Sequence, residues 1–404
     1  MFFYEKLRYN KYPGLYCTIT GNFTKIKMRP LLYIHIPFCD RGKCAYCDFY
    51  SVPYEPRQAA ALVESYGREL RMTTSHFRTI YIGGGTPSVL SRSAWATLLN
   101  ACRRHASGAE EWTVEMNPEH VTGTLAHMLK ESGVNRISLG VQSFCRQKLR
   151  CLGRRHSPSQ AAEAVNIVRK AGIQNVSIDL LFGVWEESLK EWRRELAGAL
   201  TLPLTHLSLY ALTYERDTLL GRRLSRGDIT PLADDIVAEQ YLAAADLLRS
   251  CGFVRYEISN FARPGRECLH NLGYWQGFPY LGIGPSAVSF LNGVRMRRTA
   301  EVSRYLALDG GAAAVCEREK LPPAYRAREA AAVLIRTSQG IDFAAFRRRY
   351  GYDLLNTTRP GLQELVGAGI LEWTGSPARP TGVRLTSEGF LRADTASSAL
   401  LSHT

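Results

Sequence analysis

Between residues 31 and 211 the chain alternates short apolar runs with amphipathic stretches six times. The apolar runs are Leu31-Leu32-Tyr33-Ile34, then 79–82, 112–117, 136–142, 176–182 and 206–211. They are short and largely continuous, as in strands covered on both faces. Helices are expected over 57–75, after Ser91, over 122–132 and 158–171, and around Leu189 and Leu196. In the first of these, Ala60, Val63, Tyr66 and Leu70 share one face. Gly133 and Gly172 stand where two helices should stop. Six such units predict an α/β fold with a parallel, partial barrel. The business end of such a barrel is the C-terminal end of its strands.

A helix over 232–250 and an added strand over 256–261 follow. Near residue 315 the pattern changes to helices at 323–337, 342–350 and 359–368, then strand-like runs at 370–373 and 383–385. That order predicts a winged-helix-like α+β domain over 315–392, after a barrel domain over 29–314. Residues 1–28 lack periodicity and read as an extension, with Met28 a candidate start. The Ala/Ser-rich stretch 393–404 reads as a frayed tail.

Composition narrows the class. With 404 residues, 45% hydrophobic and 22% charged, the chain matches a globular protein. No apolar run approaches the ~18 residues of a membrane span, and no secretory signal is evident. Three of the ten cysteines cluster and seven scatter, which is no disulfide framework and fits a reducing, cytoplasmic setting. A net charge of +14 calls for acidic partners such as nucleic acid or porphyrin propionates, or else marks an arginine-rich solvated surface.

The clustered cysteines are Cys39, Cys44 and Cys47, directly after the first strand. Three thiolates on a cubane iron–sulfur cluster leave one iron open to a small molecule. The same loop also admits a zinc site completed by His35. After the second strand comes Gly83-Gly84-Gly85-Thr86-Pro87, whose glycines let backbone groups approach a ligand. Polar residues then recur at or near strand ends: Glu115, Gln142 with Ser143, Asp179, and Tyr210 beside Ala211. A buried carboxylate such as Glu115 or Asp179 needs partners, and a ligand's hydroxyls or ammonium would supply them.

A three-cysteine loop after one strand and Gly-Gly-Gly-Thr-Pro after the next resembles the radical S-adenosylmethionine enzymes. More narrowly, the chain resembles the oxygen-independent coproporphyrinogen III oxidases and their haem-chaperone branch, over roughly residues 31–390. The resemblance implies a partial (β/α)6 barrel and a [4Fe-4S] cluster on Cys39, Cys44 and Cys47. It places Tyr33 and Tyr46 beside bound S-adenosylmethionine, and Gly84, Gly85 and Thr86 on its methionyl amino group. It assigns Glu115, Gln142, Arg154, Asp179 and Ala211 to the remaining cofactor contacts.

The branch is read from other residues. Phe49 stands where the oxidases carry a fourth cysteine. His270-Asn271-Leu272-Gly273-Tyr274-Trp275 matches the chaperone branch's His-Asn-x-x-Tyr-Trp. His270 and Cys268 are therefore candidate haem-iron ligands. The implied partners are haem or porphyrin, a haem-accepting protein, and an electron donor such as flavodoxin or ferredoxin. The oxidase itself is the alternative activity. Nucleic-acid binding through the C-terminal domain is the weakest reading, because winged helices serve many purposes. Three departures stand out. The cysteine spacing is Cys-x4-Cys-x2-Cys against the family's Cys-x3-Cys-x2-Cys, with Gly42 placed to absorb the extra residue. Val184-Trp185-Glu186-Glu187-Ser188 replaces Leu-Pro-Gly-Gln-Thr. Gly284-Pro285-Ser286-Ala287-Val288-Ser289 replaces Gly-Pro-Gly-Ala-His-Ser.

Overall fold

The computed structural model describes residues 28–40 and 42–402. The expected extension before Met28 lies outside the described residues. The six expected strands all form: β1 (Leu31–Ile36), β2 (Thr79–Gly84), β3 (Glu111–Met116), β4 (Arg136–Gln142), β5 (Asn175–Phe182) and β6 (His206–Ala211). They pair in parallel and in chain order. Helices α1 (Pro56–Met72), α2 (Arg92–Arg103), α3 (Gly123–Ser132), α4 (Arg146–Cys151), α5 (Pro158–Lys170) and α6 (Leu189–Ala199) occupy the crossovers.

Local chemistry sets their ends. Ser91, Ser157 and Ser188 cap α2, α5 and α6 through their side-chain oxygens. The last two complete capping boxes with Gln160 and Glu191. Gly133 ends α3 in the left-handed region, as its sequence position predicts.

The strands are less uniformly apolar than their sequences suggest. Leu32, Ile34, Ile80, Ile82, Trp112, Val114, Ile137 and Leu139 join the large hydrophobic core. The alternate positions carry Tyr33, His35, Thr79, Tyr81, Glu111, Glu115, Ser138 and Asp179. Strand period two sends these to the opposite face, which lines the barrel interior. There they bond one another across strands, as Tyr81 does to Glu115 and Ser177 to His206.

Beyond β6 come α7 (Leu219–Ser225) and α8 (Asp234–Ser250). The single strand expected over 256–261 is instead a broken antiparallel pair, β7 (Val254–Arg255) and β8 (Asn260–Ala262). Glu257 and Ser259 interrupt it, the Glu257 carboxylate accepting from the Ser259 N–H at 3.2 Å. Helix α9 (Leu269–Trp275) follows, then β9 (Tyr280–Ile283), which pairs in parallel with β1. Strands β10 (Val288–Leu291) and β11 (Val294–Arg298), helix α10 (Val302–Ala307) and strand β12 (Val315–Glu319) extend that edge. The sheet thus runs β12-β11-β10-β9-β1-β2-β3-β4-β5-β6-β8-β7.

The C-terminal part holds α11 (Pro323–Leu334), β13 (Ile341–Asp342), α12 (Phe343–Tyr350), α13 (Leu354–Gly367), β14 (Leu371–Ser376) and β15 (Arg379–Leu385). A three-stranded antiparallel sheet beside three helices has the winged-helix arrangement expected. Helix α13 starts five residues before the expected 359, because Asp353 caps it through the Asn356 N–H at 3.2 Å. The stretch expected to fray is helix α14 (Ala393–Ser402) through residue 402. Ala396 and Leu400 are buried, and the Ser397 hydroxyl donates to the Ala332 carbonyl of α11 at 2.8 Å. Small residues let the two helices approach, so Ala/Ser content here marks packing rather than disorder.

Two departures from the family pattern fall at special torsions. Glu186 has φ +64° and Ser286 φ +63°, each where the pattern carries glycine. The backbone shape is kept without the residue that adopts it freely.

Candidate functional site at the strand ends

The cysteine loop leaves the C-terminal end of β1 and is stitched down on both sides. Val52 N–H donates to the Pro37 carbonyl at 2.7 Å and Tyr54 N–H to that of Cys39 at 2.9 Å. Ala45 N–H donates to the Leu152 carbonyl at 3.1 Å, and its own carbonyl accepts from Leu220 N–H at 2.9 Å. Gly42 takes φ +91°, a torsion suited to the longer loop, and a Cβ there would meet nothing.

Each cysteine sulfur has a donor. Thr86 Oγ1 donates to Cys39 Sγ at 3.7 Å and Arg154 Nη1 to Cys44 Sγ at 3.4 Å. Cys47 Sγ accepts from the Phe49 N–H, while burial pushes its thiol up to about 12. All three cysteines are half-buried and unpaired with another cysteine. His35 does not join them. Its Nδ1 pairs with the Tyr33 hydroxyl at 3.0 Å and its Nε2 with the Tyr50 carbonyl at 3.2 Å. Burial lowers this imidazole to about 4, so it is neutral inside the barrel. The zinc reading with His35 as fourth ligand is therefore not the one the fold builds. Among the described residues no three His, Cys, Asp or Glu side chains close on a single metal ion.

Beside the loop lies a cradle. A Cβ on Gly84, which has φ +121°, would stand 2.6 Å from the His35 ring, and one on Gly85 2.6 Å from the Phe38 carbonyl. Neither position tolerates a side chain. The Glu115 carboxylate accepts from the Tyr81 hydroxyl at 2.6 Å and the Gly84 N–H at 3.0 Å. Burial raises its carboxyl to about 7. Asp179, also raised by burial, accepts from the Ser138 hydroxyl at 3.4 Å. Arg154 reaches the Gly140 carbonyl with Nη2, while its buried Nε has no partner among the described residues. Gln142, at φ +65° beside a register shift between β4 and β5, turns its amide toward Gly140. Tyr46 packs on Ala45 and Leu152, with its hydroxyl raised by burial beside the Arg154 guanidinium. Ala211 closes β6 and is exposed. Tyr33 lies deeper, its ring stacked on Tyr81 at 6.1 Å.

A half-filled carboxylate, an orphan guanidinium nitrogen and a glycine cradle beside three hydrogen-bonded cysteine sulfurs form a coherent set. They fit a zwitterionic cofactor held against an iron–sulfur cluster. Cys39, Cys44 and Cys47 would hold the cluster, and Arg154 and Glu115 would offer charge to the cofactor's carboxylate and to its ammonium or hydroxyls.

His270 and Cys268 are elsewhere. They sit at the other end of the barrel, below the first residues of β2 and β3. His270 Nδ1 pairs with Thr79 Oγ1 at 2.7 Å and Nε2 with the Tyr274 hydroxyl at 3.0 Å. Glu111 accepts from Cys268 Sγ at 3.4 Å, Leu269 N–H at 2.9 Å and His270 N–H at 3.1 Å. Both candidates are thus buried and already bonded. Tyr274 and Trp275 instead line a narrow cleft, with a free volume of about 20 Å³, between α9, strands β9 to β11 and the C-terminal helices α11 and α12. Phe278, Phe290 and Tyr350 add aromatic walls, and Arg295 and Arg326 stand among them. Glu111 and Asn117 were not singled out in the sequence. Glu111 shares the strand face of Glu115, and Asn117 follows the same strand, which is the only signal either gives.

Two family models match the chain. Residues 33–196 match the radical SAM superfamily and 321–392 the HemN C-terminal domain. The chain is 34% identical over 386 residues to a heme chaperone HemW of Mycobacterium tuberculosis, covering 92% of this chain and 94% of that one. To the heme chaperone HemW of Escherichia coli it is 40% identical over 286 residues, covering 68% and 74%. The solved structure of coproporphyrinogen III oxidase (HemN) from E. coli superposes with a TM-score of 0.80 over 93% of this chain and 91% of that one, at 20% identity. That last likeness speaks for the fold. With a cysteine loop and glycine cradle at one end of a partial barrel and the His-Asn-x-x-Tyr-Trp helix at the other, this chain belongs to the heme chaperone HemW family of the radical SAM superfamily.

Proposed function

We propose that the protein binds haem and passes it to an acceptor protein, and that it carries a [4Fe-4S] cluster and S-adenosylmethionine at the opposite end of the barrel. One observation carries this reading. The His-Asn-x-x-Tyr-Trp helix sits under the N-terminal ends of β2 and β3, while the cysteine loop sits at the C-terminal ends. A six-residue strand is ~17 Å long. A porphyrin in the cleft beside Trp275 would lie at the end of the barrel away from the cluster. When bound on Cys39, Cys44 and Cys47 and beside Arg154 and Glu115, cluster and cofactor would supply one-electron reductive chemistry, with a flavodoxin- or ferredoxin-like donor as the reductant. The chain's own part is to hold the sulfonium in place and exclude water.

The lining of the cleft suits the edge of a flat aromatic dianion, and a whole porphyrin needs α9 and the C-terminal helices to part. Trp275, Phe278 and Phe290 offer apolar surface, and Arg326 offers a charge for a propionate. For His270 to reach the iron, its bond to Tyr274 must break. We therefore assign first contact with the porphyrin to Tyr274 and Trp275, with His270 and Cys268 behind them.

The test is an anaerobic haem titration of the reconstituted protein, run beside an assay with coproporphyrinogen III, reductant and S-adenosylmethionine. A Soret band should develop at one equivalent, and Arg326→Ala should weaken binding about tenfold. Conversion to protoporphyrinogen, or no Soret change, would overturn the proposal in favour of the oxidase.

A further inference from the structure

A chain of hydrogen bonds joins two of the three cluster cysteines through residues on three different elements. Arg154 Nη1 donates to Cys44 Sγ at 3.4 Å, and its Nη2 donates to Asn117 Oδ1 at 2.7 Å. Asn117 Nδ2 donates to Thr86 Oγ1 at 3.3 Å, and Thr86 donates to Cys39 Sγ at 3.7 Å. Arg154 Nη2 also donates to the Gly140 carbonyl, and each end of the series is a sulfur. Asn117 is fixed in turn, its backbone N–H donating to Ser88 Oγ at 3.1 Å. An amide suits this position in particular: its oxygen receives from the guanidinium while its nitrogen gives to the hydroxyl. Leucine would break both bonds, and aspartate could not donate to Thr86.

We infer that Asn117 is a positioning residue for the iron–sulfur cluster, holding Arg154 and Thr86 so that both donate to thiolate ligands and raise the cluster's reduction potential. Hydrogen bonds to ligand sulfurs withdraw electron density and favour the reduced, more negative cluster. The bracket also spans the widened Cys39-x4-Cys44 segment, fixing the separation of two sulfurs where the loop itself is longer. Arg154 then has two duties, since its Nε is left for the cofactor's carboxylate.

This inference rests on the cluster assignment above, and the experiment separates the two. Full-length wild type, Asn117→Leu and Thr86→Val are reconstituted anaerobically, assayed for iron and sulfide, and titrated against potential while the reduced-cluster EPR signal is recorded. Both variants should shift to a more negative midpoint. At the potential where wild type is half reduced, the ratio of reduced to oxidised cluster should fall about threefold to tenfold. A merely structural role would lower loading or thermal stability and leave the midpoint of the loaded fraction unchanged. Thr86→Val keeps the side-chain shape, so it decides the matter if Asn117→Leu fails to load. A wild-type midpoint in Thr86→Val, or in a loaded Asn117→Leu, overturns the inference. Absence of a four-iron signal in wild type would instead sink the cluster assignment.

Discussion

Glu111 and Glu115 sit four residues apart on one face of β3 and meet very different surroundings. Glu111 is filled by the protein: its two oxygens take the Cys268 thiol and the first N–H groups of α9. Glu115 takes one phenol and one backbone N–H, and burial holds its carboxyl near 7. The difference teaches how to tell a structural carboxylate from one kept for a ligand. Burial is common to both; what separates them is how much bonding capacity the protein leaves unspent.

The contrast can be broken most forcefully at Glu111. Replacing it with Ala strands two N–H groups of α9 and should cost about 3 kcal/mol in urea unfolding. Haem uptake should fall with it, since α9 forms a wall of the cleft. A cost under about 1 kcal/mol would show that water or a neighbour replaces the carboxylate readily.

Glu115→Gln should do the reverse: leave the fold intact and weaken S-adenosylmethionine binding about tenfold in equilibrium dialysis near pH 8. The sign of its pH dependence follows from the raised carboxyl. Between the ordinary 4.5 and about 7 the folded protein keeps a proton that the unfolded chain has lost. Stability therefore falls as pH rises through that window, and the glutamine variant should lack the fall. Cofactor donors favour the ionised form, so wild-type affinity should rise with pH up to about 7 and the variant's should not. Parallel pH profiles for the two proteins would remove Glu115 from the cofactor site.

The smallest effect sharpens the comparison from the side. The Tyr81 hydroxyl is the donor that lowers Glu115, while its ring lies 4.9 Å from that of His270. Tyr81→Phe keeps the ring and removes the donor. The midpoint of the binding profile should move up by less than about one pH unit, with stability changed by about 1 kcal/mol. A midpoint that moves down would mean the hydroxyl acts on the cofactor rather than on Glu115.

Much of this arrangement is legible in the sequence. Strand length, continuity and flanking turns place all six barrel strands, and serine caps fix the starts of three helices. The three-cysteine loop and the glycine run announce one end of the barrel. What does not show is whatever depends on cross-strand neighbours. Tyr81 reads as one more apolar residue until β3 puts Glu115 beside it. Asn117 reads as the last residue of a strand until Arg154 arrives from a segment beyond β4. The edge strands β9 to β12 are short and broken by glycines such as Gly282 and Gly284, so no period emerges. His270 looks like a ligand because imidazoles often are; Thr79 and Tyr274 engage both its nitrogens.

The cleft beside Trp275 has walls from two modules, α9 with the edge strands on one side and α11 with α12 on the other. The Arg349 guanidinium donates to the Gly277 carbonyl at 2.8 Å and Arg295 pairs with Glu329 at 2.8 Å, tying the two walls together. A planar guest between them acts as mortar, adding contact to both faces at once. Cargo is then written into the stiffness of a seam. If the proposed porphyrin binds there, a recipient that grips both modules would tell a full carrier from an empty one without touching the porphyrin.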